Sequence, residues 1–126
     1  MIHLIYMPRK KADNNFLIMK IAIMASRTLP HIKIEEYLKY IPDTIVTCKA
    51  GPQTFAIDFA HRHALRLILY FPNYEKYGSN APIFSSKLVV EECDCLLAFW
   101  DGRSRGTKFT IDYAKAKGKP VKVVEI

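Results

Sequence analysis

The chain has 126 residues, of which 50% are hydrophobic and 25% are charged, so its length fits one globular domain with a core of its own. Its longest apolar runs fall far short of the roughly 20 residues that a membrane span needs, and its first residues lack the pattern of a secretory signal. The odd cysteine count of three argues against a disulfide scaffold, so we expect a cytoplasmic protein without membrane contact.

The formal net charge is +7, and most of the excess lies towards the C-terminal end. Between Arg103 and Lys122, seven basic residues stand against one acidic residue, Asp112. Such a concentration of positive charge suits an anionic ligand, but lysines on an exposed helix also serve simply as a solvated face. Both interpretations stay open at this point.

The N-terminal segment, residues 1–18, is predicted to be an extension that precedes a single domain over residues 19–126. Pro8 and the polar run after it break any regular period, so the segment is either a loose arm or an added edge strand. The apolar run of residues 20–25 is the first predicted strand of the domain. In residues 31–41 apolar side chains recur at helical spacing and predict an amphipathic helix, at Ile34, Tyr37, Leu38 and Ile41.

The rest of the chain alternates between strands and helices. Strands are predicted over residues 44–48, 65–71, 95–100 and 120–126, and helices over residues 55–63, from Asn80 to Cys93, and from Thr107 to Lys117. Asn80 is the expected N-cap of its helix, with Pro82 in the first turn, and Gly118 is placed to end the last helix. This alternation predicts a mainly parallel sheet covered on both faces, with its ligand at the carboxyl ends of the strands.

The loop before the last helix, "DGRSRGT" (101–107), has the composition of a phosphate cradle. A helix N-terminus presents free N–H groups to an anion, and Gly102 and Gly106 permit close approach of the backbone. Ser104 and Thr107 add hydroxyl donors, and an arginine of this loop can hold a phosphate through two parallel hydrogen bonds. The alternative is a hydroxyl N-cap after a glycine turn, which needs no ligand.

Four stretches of the chain, taken in order, resemble the YspA/YpsA-related branch of the SLOG superfamily, which also includes the Lonely Guy phosphoribohydrolases and the DNA-processing protein DprA. They are "IAIMASRTL" (21–29), "IVTCKAGPQTFAIDFA" (45–60), "FPNYEKYGSNAPIFSSKLVVEECDCLLAFWDG" (71–102) and "SRGTKFTIDYAKAKGKPVKV" (104–123). The resemblance implies a Rossmann-like three-layer α/β/α sandwich with a five-stranded sheet of order 3-2-1-4-5. It also implies a pocket for a nucleotide or a nucleotide-derived ligand.

The motifs of the resemblance also nominate the site residues. The Gly-Ser-Arg signature of relatives corresponds to Ala25, Ser26 and Arg27, and the Ser-Arg-Gly-Thr signature is intact at residues 104–107. In the second loop, Cys48 and Lys49 replace two glycines, and an arginine-asparagine pair of relatives is matched by Ser85 and Ser86. Together with the tyrosine-glycine loop that could close over a ligand, the candidate ligand-binding residues are Ser26, Arg27, Lys49, Gly51, Tyr77, Gly78, Asp101, Gly102, Ser104, Arg105, Gly106 and Thr107.

The resemblance leaves catalysis undecided and favours binding over turnover. In the Lonely Guy enzymes a glutamate shortly after the Gly-Thr supports cleavage of the N-glycosidic bond, and the matching positions here are Phe109 and Thr110. Neither can act as a carboxylate, and Asp112 points in another direction along the helix. We therefore expect a nucleotide sensor or binding protein. Because members of the family often pair, the resemblance also implies a homodimer. The alternative is a phosphoribohydrolase or a transferase of the nucleoside 2-deoxyribosyltransferase kind, which would need a glutamate at Thr110.

A different class of function is a module that binds single-stranded nucleic acid. The basic C-terminal third could supply charge, and four aromatic residues could supply stacking surfaces, namely Trp100, Tyr70, Tyr74 and Tyr77. The same tyrosines also serve core or loop packing, and the chain has no dedicated nucleic-acid motif. No metal site is predicted, because Cys93 and Cys95 lack a second pair of ligands.

Overall fold

The computed structural model describes residues 3–6, 16–49 and 54–126, which form a six-stranded sheet with helices on both faces. The strands are β1 (His3–Tyr6), β2 (Phe16–Ala25), β3 (Ile41–Cys48), β4 (Arg66–Tyr70), β5 (Cys95–Trp100) and β6 (Val121–Glu125). The helices are α1 (Phe55–Arg62), α2 (Tyr74–Tyr77), α3 (Ala81–Glu92) and α4 (Arg105–Ala116), and 3-10 turns span Ile34–Tyr37 and Gly78–Asn80.

The order of strands in the sheet is β1-β4-β3-β2-β5-β6. Strands β2 to β6 are parallel to one another, which confirms the predicted Rossmann-like fold with its five parallel strands in the order 3-2-1-4-5. Strand β1 extends the sheet as an antiparallel edge strand, with His3 opposite Tyr70 and Tyr6 opposite Leu67. Residues 3–6 of the predicted extension therefore take the second of its two alternatives, and β2 begins at Phe16, inside that extension.

The sheet divides the core into two layers because successive side chains of a strand point to opposite faces. On one face, Ile21 and Ile23 of β2 pack with Phe59 of α1 and with Ile34 of the 3-10 turn. On the other face, Ala22 packs in a layer to which α3 and α4 contribute Val89, Val90, Ile111 and Ala114. A bilayer could not be crossed by any helix among the described residues, since none combines the required length with an apolar composition.

The predicted amphipathic helix of residues 31–41 is wrong. Only Ile34–Tyr37 is helical, as a single 3-10 turn, and Leu38 already has extended backbone angles of −119° and 129°. The reason is the length of β2, which begins at Phe16 and pairs Phe16 with Ile41. Ile41, the last residue of the predicted helix, is thereby held in a strand, and the chain is already extended at Leu38 on the way to it, so tertiary pairing overrides the local helical spacing.

The predicted helix boundaries are otherwise close to those observed. The loop of residues 72–79 contains the short helix α2, which Asn73 caps by accepting a hydrogen bond from the backbone N–H of Lys76 at 3.1 Å. Asn80 stands at the N-cap position of α3 as predicted, but its side chain makes no capping hydrogen bond. Helix α4 begins at Arg105, two residues before the predicted start, and Gly118 follows its end with a φ of 74°.

Candidate functional site

The candidate site lies at the carboxyl ends of β2 and β5, where Ala25 and Phe99 are paired in the sheet. From β2 the chain continues towards β3 on one side, whereas β5 lies on the other side of β2. The loops after these two strands therefore diverge and leave a crevice between them. In open parallel sheets this reversal of strand order is the place where ligands bind.

Two buried hydroxyls connect the loops across this crevice. Ser26, which is 1% exposed, donates a hydrogen bond from Oγ to Oγ1 of Thr107 at 3.1 Å. The Ser26 Oγ also accepts a hydrogen bond from the backbone N–H of Asp101 at 3.2 Å. The end of β2, the end of β5 and the first turn of α4 are thus tied together by a single serine, and both hydroxyls are engaged within the protein.

The carboxylate of Asp101 organises the loop that enters α4. Its Oδ1 accepts hydrogen bonds from the backbone N–H groups of Arg103 at 2.8 Å and Ser104 at 2.7 Å. Its Oδ2 accepts from the hydroxyls of Ser104 at 2.8 Å and Thr28 at 2.5 Å. Hydrogen bonds from Thr28 and then from the backbone of Ser104 and Arg103 hold the pKa of Asp101 well below its ordinary value, so the carboxylate is ionised.

Part of the predicted phosphate cradle is therefore satisfied by the protein's own anion. The Ser104 hydroxyl and the N–H groups of Arg103 and Ser104 all point to Asp101. The next three N–H groups, those of Arg105, Gly106 and Thr107, belong to the first turn of α4 and have no intrahelical acceptor. Within the described part of the chain they form no hydrogen bond, so they are the donors of the predicted cradle that the described residues leave unused.

The two glycines of this loop have different environments. Gly102 has a φ of 80°, and a Cβ on it would lie 2.9 Å from Oε2 of Glu125, so this position requires glycine. Gly106 has ordinary helical backbone, and nothing among the described residues lies within 4 Å of the place where its Cβ would be. A side chain at Gly106 would therefore meet no described atom at its Cβ, and the backbone there does not require glycine.

The candidate cations lie around the same edge of the sheet. Arg27 is exposed and close enough to Cys48, at the end of β3, for its charge to favour the thiolate. Burial has the larger effect and raises the pKa of the Cys48 thiol to about 11, so the thiol is protonated at neutral pH. Lys49 continues β3 through a hydrogen bond from its N–H to the Tyr70 carbonyl at 3.0 Å, and Gly51 lies outside the described residues.

The structure does not place Tyr77 and Gly78 against the buried hydroxyls. The ring of Tyr77 stacks on Phe84 of α3, with ring centroids 4.0 Å apart and an angle of 20° between the planes. Among the described contacts none joins Tyr77 or Gly78 to Ser26, Asp101 or Thr107. A role for this loop in covering a ligand stays a prediction.

The positions at which the predicted resemblance places a catalytic glutamate, Phe109 and Thr110, carry no acid. The Phe109 ring stacks on Tyr113, and the buried Thr110 hydroxyl donates to the Gly106 carbonyl at 2.9 Å. Asp112 forms an exposed ion pair with Lys108 at 2.9 Å. Asp101 is the carboxylate within the crevice, and its four hydrogen bonds and low pKa make it a poor general acid.

Sequence reasoning missed three residues of this site. Thr28, in the loop after β2, donates to Asp101, and the Glu125 carboxylate at the end of β6 lies where a side chain on Gly102 would be. Trp100 donates from its indole N–H to the Ser104 carbonyl at 3.1 Å, so it supports the loop. The sequence signal for the hydrogen bonds around Asp101 was the aspartate itself, because an aspartate commonly accepts hydrogen bonds from the backbone N–H groups two and three residues later.

Ser85 and Ser86 both lie buried on α3. The predicted resemblance matches them to an arginine-asparagine pair, and the Ser85 Oγ has no hydrogen-bond partner among the described residues.

Comparison with known proteins gives no relative from which the role of the site could be inferred. No family model matches the chain, and no curated protein or solved structure matches it. The resemblance to the SLOG superfamily stays a prediction from the motifs of the sequence.

Proposed function

We propose that the protein binds a nucleotide or a nucleotide-derived ligand at the crevice between β2 and β5, with a phosphate against the N-terminus of α4. The observation that carries this proposal is the first turn of α4. Its N–H groups at Arg105, Gly106 and Thr107 make no hydrogen bond within the described residues, and α4 begins in the loop after β5, next to the reversal of strand order. A phosphate there would receive hydrogen bonds from the backbone and the favourable end of the helix dipole.

The negative charge of Asp101 limits the part of the loop at which a phosphate can bind. Its charge opposes a second anion close to Arg103 and Ser104, so the phosphate must bind further along the helix, around Gly106. Arg27 and Arg105 are exposed at this edge and would offset the charge of Asp101. Ser26 and Thr107 would act by holding the two loops in register, since their hydroxyls are buried and bonded to each other.

The proposal is one of binding without turnover. Cleavage of an N-glycosidic bond calls for a carboxylate beside the sugar, and the family positions hold Phe109 and Thr110. The buried Thr110 hydroxyl is bonded to the Gly106 carbonyl and does not face the crevice as a free group. Steady release of free base from a nucleoside monophosphate would contradict this part of the proposal.

The test is a thermal-shift comparison of the wild type with two substitutions at Gly106. The ligands are nucleoside monophosphates, ADP-ribose and NAD, and a ligand present at 100 times its Kd stabilises the native state by about 2.7 kcal/mol. Gly106→Asp places a carboxylate where the phosphate would bind. It is compatible with the second position of a helix and favoured by the helix dipole, so the Tm of the free protein should not fall.

Gly106→Ala is the matched control, because its methyl group enters open space. We expect the alanine variant to keep most of the ligand-induced rise in Tm and the aspartate variant to lose it. Absence of a rise with every ligand in the wild type, or an equal rise in Gly106→Asp, would overturn the proposal.

A further inference from the structure

We propose that the outer face of α3 and α4 binds single-stranded nucleic acid through a continuous row of aromatic rings and lysines. This row, called the ladder below, consists of Lys76, Tyr77, Phe84, Lys87, Phe109, Tyr113 and Lys117. It is a surface separate from the crevice residues Ser26 and Asp101, so the inference does not depend on the nucleotide site.

The first half of the ladder joins α2 to α3. The rings of Tyr77 and Phe84 are stacked, with centroids 4.0 Å apart and planes inclined by 20°. Lys76 places its ammonium 5.1 Å from the Tyr77 centroid, and Lys87 places its ammonium 5.4 Å from the Phe84 centroid. The two rings thus have a cation at each end, within the range of cation–π attraction.

The second half joins α3 to α4 through Lys87. The Lys87 ammonium is also 5.7 Å from the Tyr113 centroid, so one lysine lies between the rings of two helices. Tyr113 stacks on Phe109, one helical turn away, with centroids 5.8 Å apart and planes inclined by 14°. Lys117 completes the row with its ammonium 5.4 Å from Tyr113.

The ladder lies at the surface of the protein. Phe84 is 36% exposed, Lys76 and Lys117 are exposed, and the other members are half-buried. Tyr74 and Ile83, next to the ladder in sequence, are 53% and 39% exposed. Apolar side chains that are exposed next to one another form a contiguous patch, which is a feature of interaction sites.

Single-stranded nucleic acid fits the chemistry of this face. Each lysine of the row covers a ring, and when its ammonium turns to a phosphate the ring is freed for a base to stack on. The ladder carries three lysines, which outnumber the single carboxylate bonded to it, that of Glu91, which accepts a 2.5 Å hydrogen bond from the Tyr113 hydroxyl. A second copy of the chain would bring the same positive charges face to face, which disfavours self-association here.

The experiment measures binding of a fluorescent oligothymidylate of about 12 nucleotides by anisotropy, across a series of salt concentrations. The variants are Lys87→Gln and Phe84→Ala. Their controls are Lys39→Gln and Tyr40→Ala, because Lys39 over Tyr40 at 5.5 Å is an isolated pair of the same kind outside the ladder. The lysine variants change the net charge equally, so they differ only in position.

We expect each ladder variant to weaken the affinity about tenfold and each control variant to change it little. The thermal shift caused by a mononucleotide should stay unchanged in Lys87→Gln, so failure of this inference can be told apart from failure of the nucleotide site. Equal losses in Lys87→Gln and Lys39→Gln would reduce the effect to net charge and overturn the proposal. The proposal would also be overturned if the wild type did not bind the oligonucleotide. The same holds if Phe84→Ala instead reduced binding of the protein to anionic vesicles or to a second copy of the chain.

Discussion

Asp101 is the residue on which the site's architecture depends most directly. One carboxylate accepts four hydrogen bonds, two from the backbone and two from hydroxyls, and so sets the path of the chain from β5 into α4. Ser26 adds a fifth connection by accepting the Asp101 N–H. Removing the negative charge weakens every one of the four, since hydrogen bonds to ionised acceptors are about twice as strong as neutral ones.

Asp101→Asn should therefore lower the Tm at neutral pH. Because the folded-state pKa of Asp101 lies below its ordinary value of 3.8, the ionised group contributes stability above that value and loses the contribution as the pH falls. The deficit of Asp101→Asn should shrink accordingly in melts recorded at decreasing pH. Asp112→Asn is the control, since Asp112 pairs with Lys108 on an exposed surface and should matter little. A deficit that stays constant at all pH values would contradict the role given to the charge.

The residue types of the site were predictable from the sequence, but their partners were not. Ser26 and Thr107 were both nominated, yet they are 81 positions apart, and only the pairing of β2 with β5 brings their hydroxyls together. Ser104 was expected to serve a phosphate and instead serves Asp101. Spacing along the chain cannot distinguish a donor aimed at a ligand from one aimed at a neighbouring carboxylate.

Among the elements, the 3-10 turn of residues 34–37 shows how a short segment is held in place where a helix was expected. Glu35 accepts hydrogen bonds from Arg62 at 3.0 Å and lies 2.8 Å from His63 Nε2, which ties the turn to the end of α1. Burial acts to raise the pKa of Glu35. Hydrogen bonds from His63, the backbone and Arg62 outweigh that effect and lower the pKa to about 2.

Glu35→Gln should destabilise the protein by about 1 kcal/mol at pH 7, a value reduced from the full shift because these side chains are partly solvated. A carboxylate with a lowered pKa contributes stability above its ordinary value, here 4.5, and loses it as the pH falls towards about 2. Urea unfolding of both proteins across this range should show the difference fading. Glu36→Gln, a change at the exposed neighbouring residue, should have little effect. A difference as large near pH 2 as at pH 7 would contradict the assignment.

Helix periodicity failed at this element for a physical reason. The apolar spacing of Ile34, Tyr37, Leu38 and Ile41 is equally satisfied when Ile34 faces the core from a single turn and Ile41 starts a strand. Predicted and observed bounds agree better for elements that have a clear end signal in the sequence. Asp101 follows the end of β5, and Gly118 follows the end of α4. The sequence could suggest single members of the ladder, such as Tyr77, but not their continuity, because Lys87 and Tyr113 meet only when α3 packs on α4.

In the whole molecule, a single sheet determines the positions of both proposed surfaces, the crevice and the ladder. The central strand β2 has β3 on one side and β5 on the other, and this reversal opens the crevice in front of α4. The same packing of α3 beside α4 over one face of the sheet brings the rings of the ladder together. The alternation of strands and helices predicted this sheet, whereas the strand order came from the resemblance alone.

The most direct measurement of nucleotide binding is a titration followed by amide ¹H–¹⁵N NMR spectra, with the nucleotide that gives the largest thermal shift. If the phosphate binds at the N-terminus of α4, the largest changes should fall on the N–H groups of Arg105, Gly106 and Thr107, with smaller changes at Ser26 and Arg27. Phe59 and Ile34, on the opposite face of the sheet, should remain unchanged. Changes that spare residues 105–107 and cluster elsewhere would contradict a nucleotide site in the crevice.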